Sequence, residues 1–134
     1  MTPSRLRIFF FALAAAASAT LAGCGGSVCL PNAVPGLQVT VLDGPGGPAL
    51  CGVTVTATDG AYSEVLTPSL AGAVCAYFGA SERPGVYNIA ATFEGRTAMT
   101  SNVPVTTGGC HVIKNDITIE LPAGVASRSP PAGE

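Results

Sequence analysis

Cysteine and histidine are the residue types in this chain that could support nucleophilic or metal chemistry. The chain has five cysteines and one histidine. Zinc sites are typically built on close pairs such as C-x-x-C, and Cys29, Cys51, Cys75 and Cys110 form no such pair. His111 follows Cys110 directly, but neighbouring residues of a strand point to opposite faces. The sequence therefore predicts neither a zinc centre nor a cysteine nucleophile with a histidine base.

Carboxylates offer a second kind of site. Asp43, Asp59 and Asp116 have the hard oxygen ligands that suit calcium, but no D-x-D-x-D-G loop is present. Asp43 and Asp59 border turns, where aspartate usually caps its own backbone. Glu82 and Arg83 are adjacent in a polar loop and are interpreted as a solvated ion pair, which contributes little to stability. We predict no catalytic residue, no cofactor and no metal.

The N-terminal segment has the composition of an export signal. Two arginines precede an uncharged, apolar run over residues 8–22. This run is shorter than the roughly 20 residues that a transmembrane helix needs, and it has the length of a signal-peptide core. Leu-Ala-Gly-Cys at positions 21–24 resembles a bacterial lipobox. The resemblance implies that residues 1–23 are a lipoprotein signal peptide and that the thiol of Cys24 is acylated.

A lipid on Cys24 would make the chain a membrane-anchored protein of the cell envelope. Gly25 and Gly26 supply no aspartate retention signal, which by the same resemblance permits outer-membrane sorting in a Gram-negative host. An ordinary secretory signal with an incidental cysteine is the alternative interpretation.

The other four cysteines form an even set in an exported chain, which favours two disulfides with three possible pairings. If strands alternate in direction, Cys51 and Cys75 precede the second and fourth strands and lie at one end of the domain. Cys29 and Cys110 precede the first and seventh strands and lie at the opposite end. This parity argument predicts the pairs Cys51–Cys75 and Cys29–Cys110.

The chain beyond residue 36 shows short alternating runs bounded by glycine, proline, aspartate and asparagine, a pattern typical of β-strands. Asp59-Gly60 and Glu94-Gly95 are hairpin signals, and no long window outside the N-terminal segment has a helical period. The predicted strands cover residues 37–41, 53–57, 61–67, 74–78, 87–93, 96–105 and 112–121. Seven short strands over this length predict an all-β sandwich.

Two segments resemble carboxypeptidase regulatory-like domains. One is Gly-Leu-Gln-Val-Thr-Val-Leu-Asp at 36–43, followed by a Gly/Pro loop and the alternating strand at 51–57. The other is Pro-Gly-Val-Tyr-Asn-Ile-Ala-Ala at 84–91, which is similar to the G-x-Y-x-I/V strand of the family. The resemblance implies a prealbumin-like, seven-stranded antiparallel Greek-key sandwich that serves as an accessory or interaction module.

Composition limits the partners. Without residues 1–23 the chain has eight acidic and four basic residues and no basic run, which argues against nucleic acid binding. We divide the chain into a signal peptide (1–23), a tether (24–35), a β-sandwich (36–122) and a disordered tail (123–134).

The function predicted from these features is non-enzymatic. A lipoprotein would present the sandwich as a structural or interaction module to envelope proteins. The alternative is a module that binds carbohydrate or a small ligand, which exposed Tyr62, Tyr77 or Tyr87 would support; the alternation places Tyr87 in the core.

We predict that the C-terminal segment is dispensable for folding. Residues 123–134 are rich in Pro, Gly, Ala and Ser, and ordering such a segment costs about 1–2 kcal/mol per residue in backbone entropy. A chain that ends at Ala123 should therefore keep the melting temperature of the full mature chain within a few degrees in circular dichroism. A large fall in melting temperature would contradict this prediction.

Overall fold

The computed structural model describes residues 28–124. Cys24, residues 1–23 and residues 125–134 lie outside the described residues. The described chain forms nine strands: β1 (Leu37–Leu42), β2 (Thr54–Asp59), β3 (Tyr62–Val65), β4 (Thr67–Ala71), β5 (Val74–Gly79), β6 (Gly85–Phe93), β7 (Arg96–Thr107), β8 (Val112–Ile113) and β9 (Asn115–Glu120). Within 28–124, no helix is long and apolar enough to cross a membrane.

The strands form two sheets that enclose one apolar core. The four-stranded sheet has the order β4-β5-β1-β9, and the five-stranded sheet has the order β3-β2-β6-β7-β8. Alternate residues of β1, Leu37, Val39 and Val41, are fully buried, because successive side chains of a strand point to opposite faces. The predicted all-β class is confirmed, and the two sheets are consistent with a β-sandwich.

The structure has more strands than the sequence analysis predicted because two predicted runs each divide between the sheets. The run that begins near residue 61 breaks at Leu66, so that β3 pairs with β2 in one sheet and β4 pairs with β5 in the other. The last run breaks at Lys114, so that β8 pairs with β7 and β9 pairs with β1. Each edge of the sandwich is therefore formed by one segment that crosses from sheet to sheet.

One strand pair differs from the predicted antiparallel arrangement. β1 and β9 are parallel, in register from Leu37 opposite Asn115 to Leu42 opposite Glu120. The crossing after β8 is the reason: it delivers the last strand to the other sheet, beside β1. β8 and β9 together are the seventh predicted run. In a chain whose runs alternate in direction, the first and seventh runs point the same way, so the pairing of β1 with β9 must be parallel.

Two glycines are required by local geometry. In the β6–β7 turn, Glu94 and Gly95 have φ values of 47° and 76°, the left-handed conformations that a two-residue type I′ hairpin requires. At Gly36, immediately before β1, a Cβ atom would lie 2.5 Å from Val105 Cγ1 and 2.8 Å from the carbonyl oxygen of Ala80. The backbone N–H of Gly36 also donates to that carbonyl at 3.2 Å.

We predict that Gly36→Ala destabilises the fold by about 1–3 kcal/mol, the usual cost of overpacking a close contact. For a domain of this size each 1 kcal/mol lowers the melting temperature by about 4–8 °C. Gly109→Ala is the matched control, because no heavy atom lies within 4 Å of a Cβ there. Equal melting temperatures for the two variants would show that the Gly36 contact relaxes without cost.

Candidate functional site

The two disulfides lie at opposite ends of the sandwich. Cys29 pairs with Cys110 near the start of β1, and Cys51 pairs with Cys75 near the start of β5; each pair has a Cα–Cα distance of 5.3 Å. These are the two pairs that the parity argument predicts. We call the end that holds the start of β1 the entry end and the opposite one the far end.

Glu82 organises the entry end. Its Oε1 accepts a hydrogen bond from the backbone N–H of Val34 at 2.7 Å and lies 2.7 Å from Nδ1 of His111. Its Oε2 accepts from the backbone N–H of Val112 at 3.4 Å. Because a carboxylate only accepts hydrogen bonds, Nδ1 of His111 carries the proton. The carboxylate thereby fastens the segment before β1 to the start of β8, next to Cys29–Cys110.

These contacts favour the ionised form of Glu82. The N–H of Val34 is the main cause that lowers the pKa of the Glu82 carboxyl, and the hydrogen bond from His111 acts in the same direction. Glu82 itself has a φ of 51°, a left-handed conformation uncommon for a residue with a side chain. The side chain is placed by this turn of the β5–β6 loop.

Arg83 forms a second polar cluster at the entry end. Its Nη1 donates to Asp59 Oδ2 at 2.8 Å and to the hydroxyl of Tyr87 at 2.9 Å, and its Cζ lies 3.8 Å from the ring centroid of Tyr62. The Tyr87 hydroxyl in turn donates to the carbonyl oxygen of Arg83 at 2.9 Å. Arg83 therefore joins the end of β2 to the start of β6. Glu82 and Arg83 are structural ties to other elements rather than the solvated pair that the sequence analysis predicted.

A third cluster lies at the far end. Nη1 of Arg96 donates to Asp43 Oδ1 at 2.6 Å and to the carbonyl oxygen of Pro122 at 3.0 Å. Beside it opens a shallow cleft of about 340 Å³ lined by Glu94, Arg96, Ala123 and Gly124. The start of the segment predicted as a tail therefore forms one wall of a cleft whose charged groups are one carboxylate and one guanidinium.

The three aspartates considered as calcium ligands are dispersed. Asp43 and Asp59 are paired with arginines as described, and Asp116 Oδ1 lies 3.1 Å from Nζ of Lys114. Over residues 28–124 no group of three or more histidine, cysteine or acidic side chains is arranged to hold a metal ion.

The tyrosines do not form an exposed sugar platform. Tyr77 and Tyr87 are buried, and Tyr62 lies beneath Arg83. Tyr77 ties two elements together, since its hydroxyl donates to the carbonyl oxygen of Leu50 at 3.0 Å and accepts from the N–H of Val53 at 2.9 Å.

The outer side of the five-stranded sheet is the surface that the sequence analysis did not single out. Its strands point alternate side chains to solvent, and none of these is charged or aromatic. We call this surface the neutral face. Its residues are Thr54, Thr56 and Thr58 of β2, Ser63 and Val65 of β3, Val86, Asn88, Ala90 and Thr92 of β6, Thr97, Met99, Pro104 and Thr106 of β7, and Ile113 of β8. The pattern that could have revealed it is the absence of charge at the outward positions of these runs.

Comparison with known proteins gives no relative: no family model matches the chain, and neither a curated protein nor a solved structure matches it. His111 contacts the carboxylate of Glu82, which also accepts from backbone amides, and Asp59 and Asp43 contact arginines. None of these contacts joins a base to a serine, threonine or cysteine nucleophile. The clusters hold elements together, and the neutral face and the far-end cleft are the surfaces suited to binding.

We predict that Glu82 makes stability depend on acid pH. Because the pKa of Glu82 is lowered in the folded state, its contribution is present above the unfolded pKa of about 4.3 and is lost as pH falls through the folded value. Glu82→Gln should therefore reduce the difference in unfolding free energy between pH 7 and pH 3, measured by urea unfolding. Glu94→Gln, in the exposed β6–β7 turn, is the control. An unchanged pH dependence in Glu82→Gln would contradict the assigned role.

Proposed function

We propose that this chain is a non-enzymatic, membrane-anchored lipoprotein that presents its β-sandwich as an interaction module at the cell envelope. The observation that carries the proposal is the distribution of the five cysteines. Two disulfides use four of them, and the fifth, Cys24, is the residue that the lipobox-like sequence at 21–24 reserves for acylation. Disulfides of this kind persist in oxidising compartments outside the cytoplasm, which agrees with export.

The polar contacts support a role in binding rather than catalysis. Glu82, Arg83 and Arg96 each contact two or more separate elements of the fold. Side chains committed to such ties cannot change partners during a reaction without loosening the structure. Binding through a preformed surface requires no such rearrangement.

The finer architecture is part of the same proposal. We infer a prealbumin-like Greek-key relationship to carboxypeptidase regulatory-like domains, on the residues at 36–57 and 84–95 that resemble that family. The strand-turn-strand unit of β6 and β7, closed by Glu94 and Gly95, supports this assignment.

A carbohydrate or small-ligand binding module is the second candidate, and the far-end cleft favours it. A volume of about 340 Å³ lies at the lower end of the range of about 300–1,000 Å³ that is usual for ligand sites. Glu94 and Arg96 would select a ligand with groups of both charges. The cleft is walled by residues 123–124, so a chain that ends at Pro122 is the variant that would lose such binding.

The test of the proposed function is metabolic labelling in a bacterial host. The wild-type chain should incorporate labelled palmitate, and Cys24→Ser should incorporate none and should accumulate as the unprocessed precursor. The control is the double variant Cys29→Ser, Cys110→Ser, which removes a disulfide but keeps Cys24 and should be labelled normally. Absence of label in the wild-type protein would refute the anchor.

A further inference from the structure

The neutral face differs in charge from the rest of the described surface. Between residues 28 and 124 the acidic side chains outnumber the basic ones, yet none of the charged side chains belongs to the neutral face. Glu64 of β3 points to the other side of its strand, where its Oε2 accepts a hydrogen bond from the backbone N–H of Ala80 at 3.0 Å. Asp59, Glu82 and Arg83 are at the entry end, and Asp43 and Arg96 are at the far end. Two copies of this acidic chain would meet with least repulsion through the one broad surface that has no charge.

The neutral face also exposes apolar side chains. One row crosses four strands, with Val65 opposite Thr56, Thr56 opposite Ala90, and Ala90 opposite Met99. Val65 and Met99, at the two ends of the row, are 63% and 68% exposed, whereas Thr56 and Ala90 between them are small and partly covered. The row therefore exposes an apolar side chain at each end.

Hydroxyl groups occupy the neighbouring row. Thr54 lies opposite Thr92, and Thr92 lies opposite Thr97, with 3.1 Å between the Oγ1 atoms of Thr92 and Thr97. A hydroxyl both donates and accepts hydrogen bonds. A surface of hydroxyls is consequently complementary to a copy of itself, which a surface of carboxylates or ammonium groups is not.

We propose that the neutral face is the surface through which two copies of this chain associate, related by a twofold axis. A twofold interface uses the same patch on both copies and must be self-complementary. A twofold axis across the middle of the row would place Val65 of one copy against Met99 of the other at each end, and Thr56 against Ala90 between them. A glycan fits this surface less well, because it offers no exposed aromatic ring for a sugar to stack on.

The size of the surface fits a weak contact. Its strands β3, β2, β6, β7 and β8 have 4, 6, 9, 12 and 2 residues, so at about 3.4 Å per residue and about 4.8 Å between strands they cover roughly 500 Å². Two copies would bury roughly 1,000 Å² in total, which is the range of weak, transient association. This interface rests on the proposed function only for its membrane setting. Anchoring would favour the dimer because it raises the local concentration of copies.

Sedimentation equilibrium over about 1–100 µM, a range that detects micromolar dissociation constants, tests the proposal. The processed wild-type chain and the Cys24→Ser chain, both in density-matched detergent, should show a dimer. Ala90→Arg places a charge at the centre of the interface twice, once from each copy, and should abolish the dimer. Met99→Arg, at a side chain already exposed in the monomer, should do the same without disturbing the fold. Thr118→Arg, on the outer side of β9, is the matched control and should remain dimeric.

Two results would overturn the proposal: a wild-type chain that sediments as a monomer throughout this range, or a dimer that persists in both Ala90→Arg and Met99→Arg. Melting temperatures of the variants show whether each is folded. The anchor is tested separately by labelling. A Cys24→Ser chain that dimerises while the wild type takes up no palmitate would refute the anchor and retain the interface.

Discussion

The chain itself crosses between the two sheets at both edges of the sandwich, and this closure positions everything else. Leu66, 2% exposed, lies between β3 and β4, and its N–H donates to the carbonyl oxygen of Val55 at 2.8 Å. Lys114 marks the corresponding crossing between β8 and β9. Because the same segment pairs first with one sheet and then with the other, the sheets cannot slide or separate at an edge without breaking strand hydrogen bonds. The core contains no tryptophan, and this constraint adds to the stability that its burial of apolar side chains provides.

The ends of the sandwich are closed by other means. Each end has one disulfide, of the kind that typically contributes about 2–4 kcal/mol, and beside it a charged side chain that joins separate segments. Glu82 binds backbone amides on either side of the sandwich at the entry end, and Arg96 binds Asp43 and the chain after β9 at the far end. Concentrating charge at the two ends is what leaves the broad outer side of the five-stranded sheet neutral.

Much of this fold can be predicted from the sequence because the relevant information is local. The alternation of Leu37, Val39 and Val41 predicts the buried side of β1, and Glu94-Gly95 predicts the turn that the backbone adopts. The disulfide pairs follow from counting strand directions, which requires only that each run reverses the chain. The breaks at Leu66 and Lys114 cannot be predicted in this way, because an apolar–polar pattern identifies a strand but not the sheet it joins.

The candidate site is predicted less well for a related reason. Glu82 and Arg83 look like a solvated pair because their partners, Val34, Asp59 and His111, are distant in sequence and are brought close only by the packed loops. The neutral face is visible in each strand as uncharged outward residues, but it becomes one surface only when the order β3-β2-β6-β7-β8 is known. Tyr87 is the exception, since its place in an alternating strand predicts its burial.

The parallel pairing of β1 with β9 has a consequence for how the molecule is assembled during synthesis. β1 lies in the interior of its sheet, between β5 and β9, so the first strand to emerge waits for the last before both of its edges are paired. The Cys29–Cys110 disulfide spans 81 residues in the same way. Contacts of such long range are slow to form, and an emerging chain cannot complete the sandwich before its final strand is available. A growing chain that has not reached β9 therefore leaves one edge of β1 unpaired.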